Sequence, residues 1–186
     1  MTLIRDIALA AFLVWIVIDG IVVFRRRTGA AENRDRSSLQ VLMMGNVLAW
    51  ILAFWLAFAY PGTIRPPQLQ LAGLLVMAAG IAIRSVAIAQ LGRFHTPNVA
   101  VLADHEVMDR GLYHMVRHPS YLGALIAFLG LGLALGNWFS VIALVLMTVI
   151  VYSYRIHEEE TALRAALGAR YADYCHRTKR LIPGVY

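Results

Sequence analysis

The stretch Tyr121–Tyr154, YLGALIAFLGLGLALGNWFSVIALVLMTVIVYSY, runs for 34 residues without a charge. Such a run belongs in lipid, yet about 20 apolar residues suffice for one crossing. Gly136-Asn137 falls near its middle, so the stretch reads as two helices joined by a tight turn. A second helix from Trp138 to Leu167 has 30 residues and would be about 45 Å long, which outruns the hydrocarbon core. Its far end, with Arg155, His157 and Glu158-Glu159-Glu160, emerges at the interface, and Gly168 ends it as a helix C-cap.

Directly before this run stands Gly111-Leu112-Tyr113-His114-Met115-Val116-Arg117-His118-Pro119-Ser120. Pro119 suits the first turn of a helix, where its missing N–H is not needed and its φ is already helical. Arg117 and His118 should therefore crown a helix N-terminus. Backbone N–H groups and the dipole favour an anion there, and a guanidinium can grip a carboxylate or phosphate through paired bonds. The whole polar segment 92–118 also carries Arg93, His95, Asn98, Asp104, His105, Glu106, Asp109, Arg110 and His114. A loop that long in a compact chain is usually functional.

The remaining chain has the same character. It is 186 residues long, 60% hydrophobic and 15% charged, with a mean hydropathy of +0.64: an all-α integral membrane protein rather than a soluble core. Leu3–Phe24 reads as a retained first span rather than a signal peptide, since Arg25-Arg26-Arg27 follows without a small-residue cleavage pattern. Asp19 within it needs a partner or a polar boundary. Leu39–Tyr60 is a second span, stopped by Pro61-Gly62, and Gln68–Leu91 a third, with Gly73, Ala78, Ala79 and Gly80 offering close approach to another helix or a dimer partner. Arg84, near the end of span three, reads as snorkelling. With the hairpin this makes about five spans. Trp15, Trp50, Trp55 and Trp138 read as interfacial anchors or core, and Gly130, Gly132 and Gly136 as helix-packing residues.

Charge orients these spans. Fourteen of the 17 Lys and Arg residues lie in the first loop, the third loop or the tail from Arg155, which places those segments on the cytosolic side of a bacterial-type inner or plasma membrane and the N-terminus outside. The net charge of +6 and the pI near 9.9 thus reflect topology and a basic, lipid-facing tail, not nucleic acid. Cys175 is the one cysteine, so no internal disulfide or cysteine cluster exists. His105, His114 and His118 follow no metal-ligand spacing, and no metal is expected.

Arg155 and Glu159 are four residues apart and share a helix face. In most proteins this is a routine ion pair; at an interface opposite a second polar cluster it points to a site. One inward glutamate of the 158–160 run would suffice. Together, His105-Glu106-Val107-Met108, Gly111, Tyr113, Arg117-His118-Pro119-Ser120-Tyr121, then Arg155, Glu159-Glu160, Leu163, Gly168, Tyr171, Tyr174 and Pro183 resemble the isoprenylcysteine carboxyl methyltransferase family over about half the chain.

The resemblance implies a membrane methyltransferase using S-adenosylmethionine. His105, Val107, Met108, Tyr113, His118, Pro119, Ser120 and Tyr121 would enclose the cofactor, whose carboxylate suits the helix start from Arg117 to Ser120, and Arg155 and Glu159 would be the catalytic residues at the acceptor end. Val107-Met108 stands where the family usually has Leu-Val, and His114 replaces a frequent arginine. The organisation implied is a single membrane domain over 1–186, with 1–67 accessory and 68–186 the catalytic core, containing the cofactor loop 92–120 and the C-terminal helix and tail 138–186. The expected acceptor is a lipophilic or lipidated carboxylate of isoprenylcysteine type. Rival readings on the same architecture are a phospholipid N-methyltransferase and an NADPH-dependent sterol-type reductase; a small transporter or scaffold would place polar residues at mid-membrane, whereas here they gather at one interface. Acceptor identity and oligomeric state stay open.

Overall fold

The computed structural model describes residues 3–25, 32–33, 38–59, 62–95, 100–101, 106–182 and 184. Among the described residues seven α-helices follow one another: α1 (Leu3–Arg25), α2 (Ser38–Ala59), α3 (Pro67–Leu91), the single turn α4 (Leu112–Met115), α5 (Pro119–Leu135), α6 (Trp138–Leu167) and α7 (Ala169–Arg177). A 3₁₀ turn, Gly92–Phe94, extends α3. A short antiparallel pair, β1 (Glu32–Asn33) with β2 (Ala100–Val101), ties the first loop to the third. By length and composition α2, α3 with its 3₁₀ turn, and α6 can cross a membrane, while α5 is a shorter apolar helix of 17 residues. Tyr60 and Pro61, the expected end of span two, lie outside the described residues.

Glycines decide how the helices meet. Gly73 and Gly80 on α3, and Gly123 and Gly130 on α5, are each seven residues apart and so lie on one face of their helix. A Cβ on Gly80 would stand 2.3 Å from the Ala127 backbone nitrogen, and one on Gly130 would stand 2.2 Å from that of Met77. Gly73 meets the Ala134 backbone and Gly123 the Arg84 backbone in the same way. The two helices therefore interlock antiparallel, backbone against backbone. This close-approach face, which could equally have suited a dimer, is filled by α5 of the same chain; Ala78 and Ala79 point outward.

At the opposite end of α5, Gly136 (φ +74°) closes the helix in the left-handed conformation. Asn137 then caps α6, accepting from the N–H groups of Phe139 (2.9 Å) and Ser140 (3.2 Å). The turn is held from outside by Ile64 N–H to the Gly136 carbonyl (2.7 Å) and Trp138 N–H to the Gly62 carbonyl (2.9 Å). Gly132 lets α6 approach α5 at Val141, and Gly45 lets α2 approach α6 at Val151. Phe12, Trp15, Trp50, Phe54 and Phe128 form the aromatic centre of the bundle, with Phe12 edge-on to Trp50 at 5.2 Å between ring centroids. Trp15 and Trp50 are thus core residues, whereas Trp55 and Trp138 lie on the outer face.

Arg84 does not snorkel. Its guanidinium turns inward and makes two 2.8 Å bonds to the Asp19 carboxylate of α1. Each ion supplies the counter-charge that the other needs in an apolar bundle, an arrangement less costly than either alone.

Candidate active site

The site is built where the N-terminus of α5 meets the far half of α6 and the chain after α7. His118 is the residue before the helix and Pro119 stands in its first turn, as the sequence predicts. Residues 116–118 are held extended by a parallel pairing with 178–180: Arg117 N–H donates to the Lys179 carbonyl (2.8 Å) and His118 N–H to that of Arg180 (3.0 Å).

Beneath this pairing lies Glu160, only 1% exposed. It accepts from Arg117 Nε (2.9 Å), Arg164 Nη2 (3.0 Å) and Arg180 Nε (3.1 Å), and His118 Nε2 stands 3.4 Å away. Arg117 also donates to the carbonyls of Cys175 (3.1 Å) and Thr178. The sequence predicts that Arg117 grips a bound anion. In the structure its guanidinium is instead committed to Glu160 and the C-terminal segment, because that buried carboxylate competes for it within the fold.

A second polar chain runs beside the first. Arg155, 3% exposed, donates through Nε to the Tyr121 hydroxyl (3.4 Å), which donates to Glu159 Oε2 (2.8 Å). Arg155 and Glu159 thus share a face and are bridged by a tyrosine. Arg155 also reaches the Ser38 hydroxyl at the start of α2. The Tyr121 ring is flanked by His118 (5.7 Å) and Tyr152 (5.0 Å). Arg84 Nη1 lies 3.4 Å from the carbonyl of Ser120, linking the Asp19 pair to the first turn of α5.

Tyr113 closes the opposite wall. Its hydroxyl donates to the Ala87 carbonyl (3.3 Å), and its own carbonyl accepts from Tyr174 (2.6 Å). Burial, with the nearby Glu159 charge, pushes its phenol up, so the ring is neutral at physiological pH. Gly111 (φ +59°) turns the chain into α4, where the Gln90 side chain accepts from Leu112 N–H (2.9 Å). Val107 and Met108 are half-buried on the approach to this turn, and His105 lies outside the described residues. His114 points elsewhere, to Asp109 (3.1 Å), which Arg177 also binds (2.6 Å).

Tyr113, His118, Tyr121, Arg155 and Glu159 therefore converge. Sequence reasoning missed Glu160 as the centre of the cation cluster, Arg180 as its partner, and the Asp19–Arg84 brace. It also assigned no role to Tyr171, whose hydroxyl is buried without a hydrogen-bond partner among the described residues, close to the charges of Glu160 and Arg117. Among the described residues no group of three metal-ligating side chains forms.

The sequence profile of the isoprenylcysteine carboxyl methyltransferase family matches residues 71–165, from α3 to the polar end of α6. The chain belongs to this family. It is 32% identical over 113 residues to a probable protein-S-isoprenylcysteine O-methyltransferase of Oryza sativa subsp. indica, covering 60% of this chain and 59% of that one. To protein-S-isoprenylcysteine O-methyltransferase B of Arabidopsis thaliana it is 30% identical over 128 residues, 68% of this chain and 65% of the relative. Among solved structures, the eukaryotic intramembrane Ras methyltransferase, isoprenylcysteine carboxyl methyltransferase, superposes with a TM-score of 0.65 at 28% identity, covering 77% of this chain and 52% of that one. The chain thus spans between half and two thirds of the length of these relatives. Its apolar helices and this intramembrane neighbour make it an integral membrane protein. The family match covers most of the residues that converge; Tyr171, Tyr174 and Arg180 lie beyond it.

Proposed function

We propose that the protein is an S-adenosylmethionine-dependent carboxyl O-methyltransferase acting on a lipophilic acid of isoprenylcysteine type. The observation that carries this reading is the Arg155–Tyr121–Glu159 chain, buried at one end of an apolar bundle in a member of this family. A buried guanidinium at the membrane interface suits a carboxylate joined to a greasy tail.

The residues present fit the cofactor. The neutral rings of Tyr113 and Tyr121 and the His118 imidazole offer π faces to an adenine or a sulfonium, and the unpartnered Tyr171 hydroxyl awaits a polar group. Val107, Met108, Pro119 and Ser120 complete the enclosure, with His105 on the same loop. Arg117 serves it indirectly, by clamping 116–118 onto the C-terminal segment. S-adenosylmethionine supplies an electrophilic methyl group on a positively charged sulfur. Arg155 holds the acceptor carboxylate, and Glu159 fixes the Tyr121 hydroxyl that orients Arg155. No general base is required, because a carboxylate is ionised near neutral pH. The protein contributes alignment and the exclusion of water.

In this reading α1, α2, α3, α5 and α6 are five spans of one membrane domain, the last two a hairpin turning at Gly136-Asn137. The N-terminus lies outside and the site faces the cytosol, because the basic loops and tail gather at the site's end. Tritium-labelled S-adenosylmethionine offered with an isoprenyl thioether carboxylic acid tests the proposal. Label released as methanol by mild alkali identifies a methyl ester and is expected to vanish in Arg155→Ala. Alkali-stable label would indicate N-methylation, and binding of a nicotinamide nucleotide without methyl transfer would point to a reductase.

A further inference from the structure

The chain after α7 frames a concavity apart from the Arg155–Tyr121–Glu159 chain. Among the described residues, a cavity of about 290 Å³ is lined by Arg117, His176, Arg177, Lys179 and Arg180, together with Cys175 and Thr178, and by no carboxylate. That volume lies at the lower edge of the range for small-molecule sites, about 300–1,000 Å³. Such a volume suits a small charged group rather than a whole nucleoside cofactor.

Among the described residues, one carboxylate, Glu160, pairs with Arg117, Arg164 and Arg180, and Asp109 pairs with Arg177. Lys179 and His176 are exposed and have no acidic partner among the described residues. The level of the cavity in the molecule is set by backbone: 178–180 pairs with 116–118, immediately before Pro119 opens α5. It therefore lies level with the polar, N-terminal end of the apolar helix α5. Two residues further on, Ile182 is exposed, an apolar side chain beside the cations. Cations with an adjoining exposed hydrophobe match the chemistry of the headgroup layer.

We propose that this cleft binds a phosphate group and that its occupant is the headgroup of an anionic membrane lipid. The lipid docks the C-terminal segment on the membrane surface, and that segment in turn holds 116–118 in place. The assignment does not rest on the transfer reaction, and its readout needs no acceptor.

Native mass spectrometry of the detergent-purified full chain, with phosphatidylglycerol or phosphatidylcholine at matched concentrations, tests it. Wild-type protein should retain the anionic lipid selectively. Lys179→Gln should weaken retention about fivefold, Lys179→Glu more, and Lys179→Arg not at all. Equal retention of both lipids by the wild type, or retention unchanged in Lys179→Gln, overturns the proposal. Calorimetric titration with inorganic phosphate separates the two sources: phosphate binding lost in Lys179→Gln, without lipid selectivity, overturns the lipid as occupant. Binding of S-adenosylhomocysteine, unchanged in all three variants, controls for folding; a parallel fivefold loss in well-folded Lys179→Gln would make the cleft part of the cofactor site and overturn the assignment.

Discussion

Replacing Glu160 with glutamine keeps the shape of the side chain and removes the charge at the centre of four basic groups. Arg164 is half exposed and Arg180 about one third exposed, so water screens both and their share is small. Arg117 and His118 decide the outcome, at 9% and 4% side-chain exposure. A hydrogen bond to a charged group contributes about 1.5–3 kcal/mol, and stripping the partner from a buried charge costs about 3–5 kcal/mol. The amide oxygen still accepts, and Arg117 keeps its Cys175 and Thr178 carbonyls, which leaves a net loss of about 2–4 kcal/mol. In a chain of this length each kcal/mol moves Tm by roughly 2–4 °C, so Tm in detergent should fall by roughly 5–15 °C. Hydrogen exchange locates the loss. The amides of Arg117 and His118, which bond to Lys179 and Arg180, should lose protection by roughly 30- to 800-fold, while Glu158→Gln changes stability by less than about 0.5 kcal/mol. Protection at these two amides within about threefold of wild type would refute the clamp, as would an equal effect from Glu158→Gln.

Gly80→Leu should unfold or disperse the protein, since its Cβ would meet backbone of α5 at 2.3 and 2.6 Å and no rotamer relieves that; overpacking costs about 1–3 kcal/mol or more. Gly20→Ala, with nothing within 4 Å, should instead raise Tm slightly, by about 0.5–1 kcal/mol of helix stability; size-exclusion profiles and thermal scans distinguish the two. Asp19→Ala should destabilise by about 3–5 kcal/mol by stranding Arg84, and Asp19→Leu with Arg84→Leu by less, a non-additivity visible in denaturation. Tyr121→Phe keeps both ring contacts but parts Arg155 from Glu159; methyl transfer should fall about 10- to 100-fold in a protein of near-native Tm, a loss of about 1.4–2.7 kcal/mol in the barrier. Burial disfavours the Asp109 carboxylate, but the hydrogen bonds and charges of His114 and Arg177 together outweigh this and hold it below its ordinary 3.8. A depressed carboxylate contributes stability that is complete above its unfolded value and lost as pH falls through the folded one. Limited proteolysis of 106–117 should therefore be flat from pH 7 to 5 and rise only below pH 3.8.

The helical punctuation was legible because it depends on neighbours in sequence. Pro119 opens α5, Asn137 caps α6 and Gly168 ends it, each through its own backbone chemistry. The juxtaposition of Arg155 with Glu159 followed from helical periodicity. Arg84 was misread because a lone arginine in an apolar helix carries no mark of a partner 65 residues away. The partners of Arg117 were hidden for a related reason: one acceptor lies on another helix and two further ones on the tail. Three consecutive glutamates sweep more than half the circumference of α6, so composition could not say which faces the cations. Contact with α5 and 178–180 selects Glu160 and leaves Glu159 to Tyr121.

The pairing of 116–118 with 178–180 also sets an order in time. Residues 178–180 are synthesised after all six helices from α1 to α6, so every span can be inserted while the entrance to α5 still lacks its partner. Arg117 and Glu160 are synthesised before Arg180 and the carbonyls that complete their cluster. The apolar helices therefore precede the completion of the candidate site, which forms when 178–180 docks against 116–118. A chain released after Leu167 would carry all six helices from α1 to α6 but lack the segment that closes the candidate site.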